Sequence, residues 1–274
     1  MNVAGQEGRN LLLRIAAALV MAPLAIAIAY VGGWLWTALV TVAAIGLYVE
    51  WLAVIGVHRP RLVLLGVLIL LVVGWVDADH PTATHVSVLV ALGVAGAAVF
   101  SSDRRAWAVI GIGYALAASV SSSAVRLDPV WGFPALMFVL LIVWVTDIGG
   151  YFAGRLIGGP KLSPRISPKK TWAGAIGGFA ASLGVAGGFV AFDFGKTLPM
   201  LSLAAILSVV SQMGDLFESA VKRRFGVKDS SHIIPGHGGL MDRLDGFVAA
   251  IVMAAIFGFL HGGADGVGRG LMVW

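Results

Sequence analysis

"VWGFPALMFVLLIVWVTDIGGYFAG", residues 130–154, runs for 25 residues with a single charged side chain, Asp147, towards its far end. A hydrocarbon layer about 30 Å thick is crossed by roughly 20 helical residues, so the stretch is long enough to span a bilayer. A strand of an outer-membrane barrel would alternate apolar and polar residues over about ten positions. Here the apolar run is continuous. A helix, which pairs its own backbone N–H and C=O groups, is the structure that lipid permits.

Working outward, comparable runs lie near 11–31, 34–56, 62–76, 84–101, 106–125, 173–192, 198–221 and 241–261. The expectation is an all-α polytopic membrane protein of about nine transmembrane helices. The third run is the shortest before it meets Asp77. A chain that is 59% hydrophobic and 12% charged is not an ordinary soluble domain. The first run, from near Leu11, has no small-residue cleavage site followed by a polar mature domain, and reads as a retained helix. The chain has no cysteine, which excludes disulfides, thiolate metal sites and a thiol nucleophile. No internal repeat and no soluble domain longer than a loop is visible.

Orientation follows from the basic residues. With the N-terminus in the cytoplasm, Arg9, Arg14, Arg59, Arg61, Arg104, Arg105, Arg155, Lys161, Arg165, Lys169, Lys170, Lys222, Arg223, Arg224, Lys228 and Arg243 fall inside, and Arg126, Lys196 and Arg269 outside. Sixteen against three is a strong positive-inside bias, and an odd number of spans then puts the C-terminus outside. The net charge of +5 could suggest nucleic acid. Its residues sit in short loops, where orientation and contact with lipid or phosphate account for them, and no nucleic-acid partner is expected. Gly150, Gly154 and Gly158 recur every four residues, as do Gly174 and Gly178, a spacing that lets helices approach closely.

The acids are more telling. An Asp at the centre of a spanning helix costs about 2.5–3.5 kcal/mol on insertion scales, so each needs a partner, water or a cation. Glu50, Asp147, Asp215 and Glu218 fall in the cytoplasmic halves of their helices, and Asp242 and Asp245 at the cytoplasmic start of the last span. Ser211, Asp215, Glu218, Ser219 and Lys222 follow the three-and-four rhythm of one helical face. The plain structural alternative is a Glu218–Lys222 pair with Asp215 satisfied by a hydroxyl. It leaves Asp242 and Asp245, three apart on one face, repelling each other unless a cation lies between or beside them. Carboxylates without Cys and with few His suit Mg²⁺ rather than Zn²⁺, so a divalent ion bridging the last two spans is expected.

Residues 222–246, "KRRFGVKDSSHIIPGHGGLMDRLDG", add eight charged side chains and five glycines between two apolar runs. Lys222, Arg223, Arg224 and Lys228 on this loop, with Arg165, Lys169 and Lys170 on another, complement phosphate. Gly236, Gly238 and Gly239 around His237 allow backbone N–H groups to approach an anion. Together with the acids they read as a site for a polyphosphate and its metal, open to the cytoplasm.

The series Ser219, Lys222, Arg223, Lys228, Asp229, Pro235, His237, Gly238, Gly239, Asp242, Arg243 and Asp245 resembles, in order and spacing, the signature of the phosphatidate cytidylyltransferases, or CDP-diacylglycerol synthases. "SQMGDLFES" at 211–219 and "DIGGYFAGRLIGGPKLSPRISPKKTWAG" at 147–174 are similar to the same family, so the resemblance covers most of residues 140 to 250. It implies an Mg²⁺-dependent nucleotidyltransferase that makes CDP-diacylglycerol and pyrophosphate from CTP and phosphatidate, with K⁺ as a possible second cation. It further implies a homodimer in the inner membrane, its active site facing the cytoplasm. Carried onto the matching positions, Asp215 and Asp242 are metal ligands. Asp215, Asp242, Asp245, Lys222 and Arg223 are catalytic. Ser219, Lys228, Asp229, His237, Arg243, Lys169, Lys170 and Asp147 contact substrate. Residues 1–130 then form about five helices enclosing the site, and 131–274 about four helices carrying the motifs and both basic loops.

Three other readings compete with this one. A cation- or proton-coupled transporter would spread its acids through the membrane depth, whereas here they gather at one face. The Asp-Gly…Ala-Arg…Gly…Asp…Asp pattern of CDP-alcohol phosphotransferases is not found around Asp242. A purely structural partner protein has no need of so many acids and bases together.

Overall fold

The computed structural model describes residues 20–79, 89–90, 92–94, 96, 104–231 and 238–274. Its helices are α1 (Val20–Val31), α2 (Gly33–Val54), α3 (Pro60–Asp79), α4 (Arg105–Leu127), α5 (Gly132–Leu156), α6 (Trp172–Ala191), α7 (Thr197–Arg224), α8 (Met241–Gly262) and the short α9 (Val267–Met272). Seven of them, α2 to α8, are long and apolar enough to cross a membrane, and α1 is a shorter apolar helix. Seven of the nine expected spans thus have their helix, within about three residues of the expected ends. The run at 11–31 is described only from residue 20, and most of the run at 84–101 lies outside the described residues.

The third span, expected over 62–76, is longer than its apolar run suggested. It starts at Pro60, a residue suited to a first helical turn because it needs no N–H acceptor there. It continues past Asp77, which sits in the last turn, close to the end of the span.

Residue contacts divide the chain into two compact units, Met1–Ser119 with Phe225–Arg243, and Val120–Arg224 with Leu244–Trp274. In the first, α2 packs on α3 and on the start of α4 through two large aromatics with polar handles. Tyr48 Oη donates to the Leu62 carbonyl at 2.8 Å, and Trp51 Nε1 to the Trp107 carbonyl at 2.8 Å. Both rings are buried, which is favourable only because each polar atom has a partner. Gly66 and Gly111 leave the space these two rings fill.

In the second unit α5, α6 and α7 pack together, with a hairpin between α5 and α6. Its strands β1 (Lys161–Ser163) and β2 (Ser167–Thr171) pair antiparallel, Lys161 opposite Thr171 and Ser163 opposite Ser167. Thr171 ends β2 and caps α6, its Oγ1 accepting from the Gly174 N–H at 3.1 Å. α5 and α6 meet through Gly150, Gly154, Gly174 and Gly178. A Cβ at Gly174 would stand 2.8 Å from the Gly150 carbonyl oxygen, and one at Gly178 would run into the Thr146 carbonyl. The four-residue spacing therefore serves packing at these positions. Gly158 does not share that role. It lies beyond the end of α5 with φ +68 and open space around it, and serves the turn into the hairpin. Trp144, Ile148, Phe152, Trp172, Ile176 and Leu260 leave large apolar surfaces exposed, as expected of faces turned to lipid.

Candidate active site

The close approach of α7 and α8 in the second unit rests on two glycines. A Cβ at Gly214 would lie 2.7 Å from the Asp245 carbonyl oxygen and 2.6 Å from Ala249 Cβ; one at Gly246 would lie 3.2 Å from the Ser211 carbonyl oxygen. Asp215 and Asp245 each adjoin one of these glycines in sequence, so the crossing brings their carboxylates within electrostatic range of each other, and Asp147 of α5 joins them. Glu218, 1% exposed, sits against Asp245.

Two ammonium groups answer these acids. Lys170 of β2 pairs with Asp215 Oδ2. Lys222 Nζ lies 2.9 Å from Glu218 Oε1, although neither Glu218 oxygen has a hydrogen bond of good geometry. Ser219 Oγ donates to Asp215 Oδ1 at 3.4 Å, and the Gly246 N–H to Asp245 Oδ1 at 2.8 Å. Arg223 reaches back to the hairpin, its Nε donating to the Ile166 carbonyl at 3.4 Å.

Does this donor set suit a metal? Among the described residues no three His, Asp or Glu side chains form a ready-made cage. Mg²⁺ does not require one, because it is usually held by one or two carboxylates and fills its shell with water and substrate phosphates. Four carboxyl groups face two ammonium groups, and all their oxygens are hard donors. The residues of the second unit fit a divalent ion of that kind.

Asp242 belongs to the first unit and has different company. Its Oδ2 accepts from the Ser230 N–H, the Ser230 Oγ and the Gly239 N–H, each at 3.0 Å. Neutral donors thus hold one oxygen of this carboxylate. Gly238, at φ +83, turns the chain there, with the position of its absent Cβ 3.2 Å from Asp242 Oδ2. Glu50 of α2 engages the same segment through the Ser230 and Ser231 hydroxyls.

The residues predicted from sequence are therefore distributed as follows. Asp147, Lys170, Asp215, Ser219, Lys222 and Asp245 come together in the second unit, with Glu218, one of the cytoplasmic-side acids to which sequence assigns no catalytic role. Lys169, Arg223, Lys228, Asp229 and Arg243 have exposed side chains, and His237 lies outside the described residues. Sequence reasoning placed Glu50 among the converging acids without a role and passed over Ser230 and Ser231. The available signal was the cost of an acid inside an apolar span, which predicts clustered donors somewhere in the chain.

Lipid-length helices carrying a cluster of acids and ammonium groups mark an integral-membrane protein equipped for charged ligands. The chain belongs to the cytidylyltransferase family, whose family model matches residues 12–261. A relative in Brucella suis biovar 1, named phosphatidate cytidylyltransferase, is 38% identical over 274 residues, covering 93% of this chain and 96% of its own length. Proteins of the same name in Haemophilus influenzae and Staphylococcus haemolyticus are 44% and 42% identical over 138 and 159 residues. These alignments cover 48% and 57% of this chain, and 48% and 60% of the relatives. The resemblance read from residues 140 to 250 is borne out.

Proposed function

We propose that this protein transfers the cytidylyl group of CTP to phosphatidate, giving CDP-diacylglycerol and pyrophosphate for phospholipid biosynthesis. The observation that carries the reading is the alignment, nearly end to end, with a relative named for that reaction. It favours a transferase over a transporter.

Chemistry supports the assignment. The second pKa of a phosphate monoester is about 6, so at neutral pH the phosphatidate oxygen is already an anion and needs no general base. That oxygen forms a bond to the α-phosphorus of CTP while the bond from this phosphorus to the bridging oxygen breaks, the electron pair leaving with pyrophosphate. The difficulty is to align two anions, a problem of positioning and charge neutralisation. Lys170, Lys222, Arg223, Lys228 and Lys169 are suited to hold phosphates, with Ser219, Asp229, Arg243 and Asp147 as further substrate contacts and Asp245 supporting the acids. His237 serves as a phosphate or nucleotide contact or a loop brace. Asp215 and Asp242 would hold Mg²⁺, which when bound supplies charge neutralisation at the phosphate oxygens. K⁺ is a candidate second cation.

Nine spans with the N-terminus in the cytoplasm and the C-terminus outside agree with the sixteen-to-three distribution of Lys and Arg. The family resemblance adds a homodimer in the inner membrane, and in that topology the site of this multi-pass protein opens to the cytoplasm. CTP then arrives from water and the lipid headgroup sideways from the leaflet. Residues 1–130 enclose the site and 131–274 carry the motifs.

The test is release of pyrophosphate by the purified protein from phosphatidate, Mg²⁺ and each of the four nucleoside triphosphates in turn. CTP alone should support rapid release together with formation of CDP-diacylglycerol. Equal rates with all four nucleotides, or no release with CTP, would overturn the reading.

A further inference from the structure

Glu50 lies in the part of the chain to which sequence assigned only enclosure. Its carboxylate is 1% exposed and accepts four hydrogen bonds, all from residues 230–241. Ser230 Oγ and the Met241 N–H donate to Oε2 at 2.9 and 2.7 Å, and Ser231 Oγ and the Leu240 N–H to Oε1 at 2.6 and 2.8 Å. Leu240 immediately precedes α8 and Met241 opens it, and the first N–H groups of a helix have no acceptor within it. The positive end of the helix dipole favours a carboxylate there. Glu50 therefore caps α8 from a different helix.

A single hydroxyl connects this cap to Asp242. Ser230 Oγ stands 2.9 Å from Glu50 Oε2 and 3.0 Å from Asp242 Oδ2, and its one proton is shared between them. The Ser230 N–H holds Asp242 Oδ2 in addition, at 3.0 Å. Close approach is built in. A Cβ at Gly239 would collide with Ser230 Oγ and come within 2.6 Å of Glu50 Oε2.

We propose that Glu50 is a positioning residue for cytidylyl transfer: through Ser230 it sets the carboxylate of Asp242, and through Leu240 and Met241 it fixes the helical turn that carries it. The proposal rests on the reading of Asp242 as a ligand of the divalent ion. A Glu50 that served stability alone would change the amount of folded protein and nothing else.

The experiment compares the full-length protein with Glu50→Gln, Ser230→Ala and the double variant. It measures Mn²⁺ binding by paramagnetic resonance without nucleotide, the Mg²⁺ dependence and turnover of pyrophosphate release, and the thermal midpoint. Each single variant should weaken Mn²⁺ binding or turnover by about 10–100-fold, the range typical of groups that orient a metal ligand. The double variant should be little worse than the worse single one, because both act along one chain of contacts. Ser230→Ala removes one oxygen and keeps the test open should Glu50→Gln fail to fold. Wild-type Mn²⁺ affinity and turnover per folded molecule in Ser230→Ala, or fully additive effects, would overturn the proposal. A wild-type protein that binds no Mn²⁺ would also overturn it. If the wild type binds Mn²⁺ but releases no pyrophosphate from CTP and phosphatidate, the proposed reaction fails while the binding comparison still decides the role of Glu50.

Discussion

Lys170 reaches from β2 to Asp215 of α7, forty-five residues away in sequence, with side-chain exposures of 29% and 27%. An ion pair this accessible contributes at most about 1 kcal/mol to stability. Its interest lies in what it does to ligands, since the same ammonium is suited to a CTP phosphate. Lys170→Met should lower kcat/KM for CTP by about 10–100-fold, the scale of a lost charge-assisted hydrogen bond, and leave the thermal midpoint nearly unchanged. An unchanged kcat/KM would remove Lys170 from the site. The residue types at this site were legible in sequence, because acids in apolar spans and lysines in short loops are conspicuous. Their partners were not. Ser230 and Gly239 supply Asp242 with neutral donors that no count of charges reveals.

Spanning helices are the elements that sequence predicts best, since a run of about 20 apolar residues has few alternatives in lipid. Two shorter elements escaped it. The hairpin Lys161–Thr171 contains "SPRISP", where two prolines read as loop, and its strands are held by their antiparallel pairing rather than by an alternating apolar pattern. Helix α9 lies in "GVGRGLM", a glycine-rich stretch with weak helical preference. Packing selects it, because Gly270 lets α9 lie directly against Gly258 and Gly262 of α8. The same logic gives a paired prediction on α6. Gly178→Val would drive side-chain atoms into the Thr146 carbonyl, which cannot yield as a flexible side chain can, whereas a Cβ at Gly184 meets nothing within 4 Å. Gly178→Val should destabilise by about 1–3 kcal/mol or more, and Gly184→Ala should be neutral or stabilising by up to about 1 kcal/mol. Thermal unfolding in detergent checks both. Equal midpoints for the two variants would contradict the packing described for α5 and α6.

At the scale of the whole molecule, sequence alone suggested a division of labour in which early helices enclose and late helices react. The hydrogen bonds of Glu50 join α2 to residues 230–241, the stretch that leads into Asp242. That contribution was illegible because nothing in the apolar stretch around Glu50 names the distant donors it meets. The proposed reaction stands on carboxylates of the last two long helices organising a divalent ion. The direct measurement is pyrophosphate release from CTP and phosphatidate by the wild type, with and without a chelator, and by Asp215→Asn and Asp242→Asn, with folding monitored alongside. Chelation should abolish release, and each substitution should reduce it by at least about a hundredfold with the fold intact. Undiminished turnover in both variants would contradict the account.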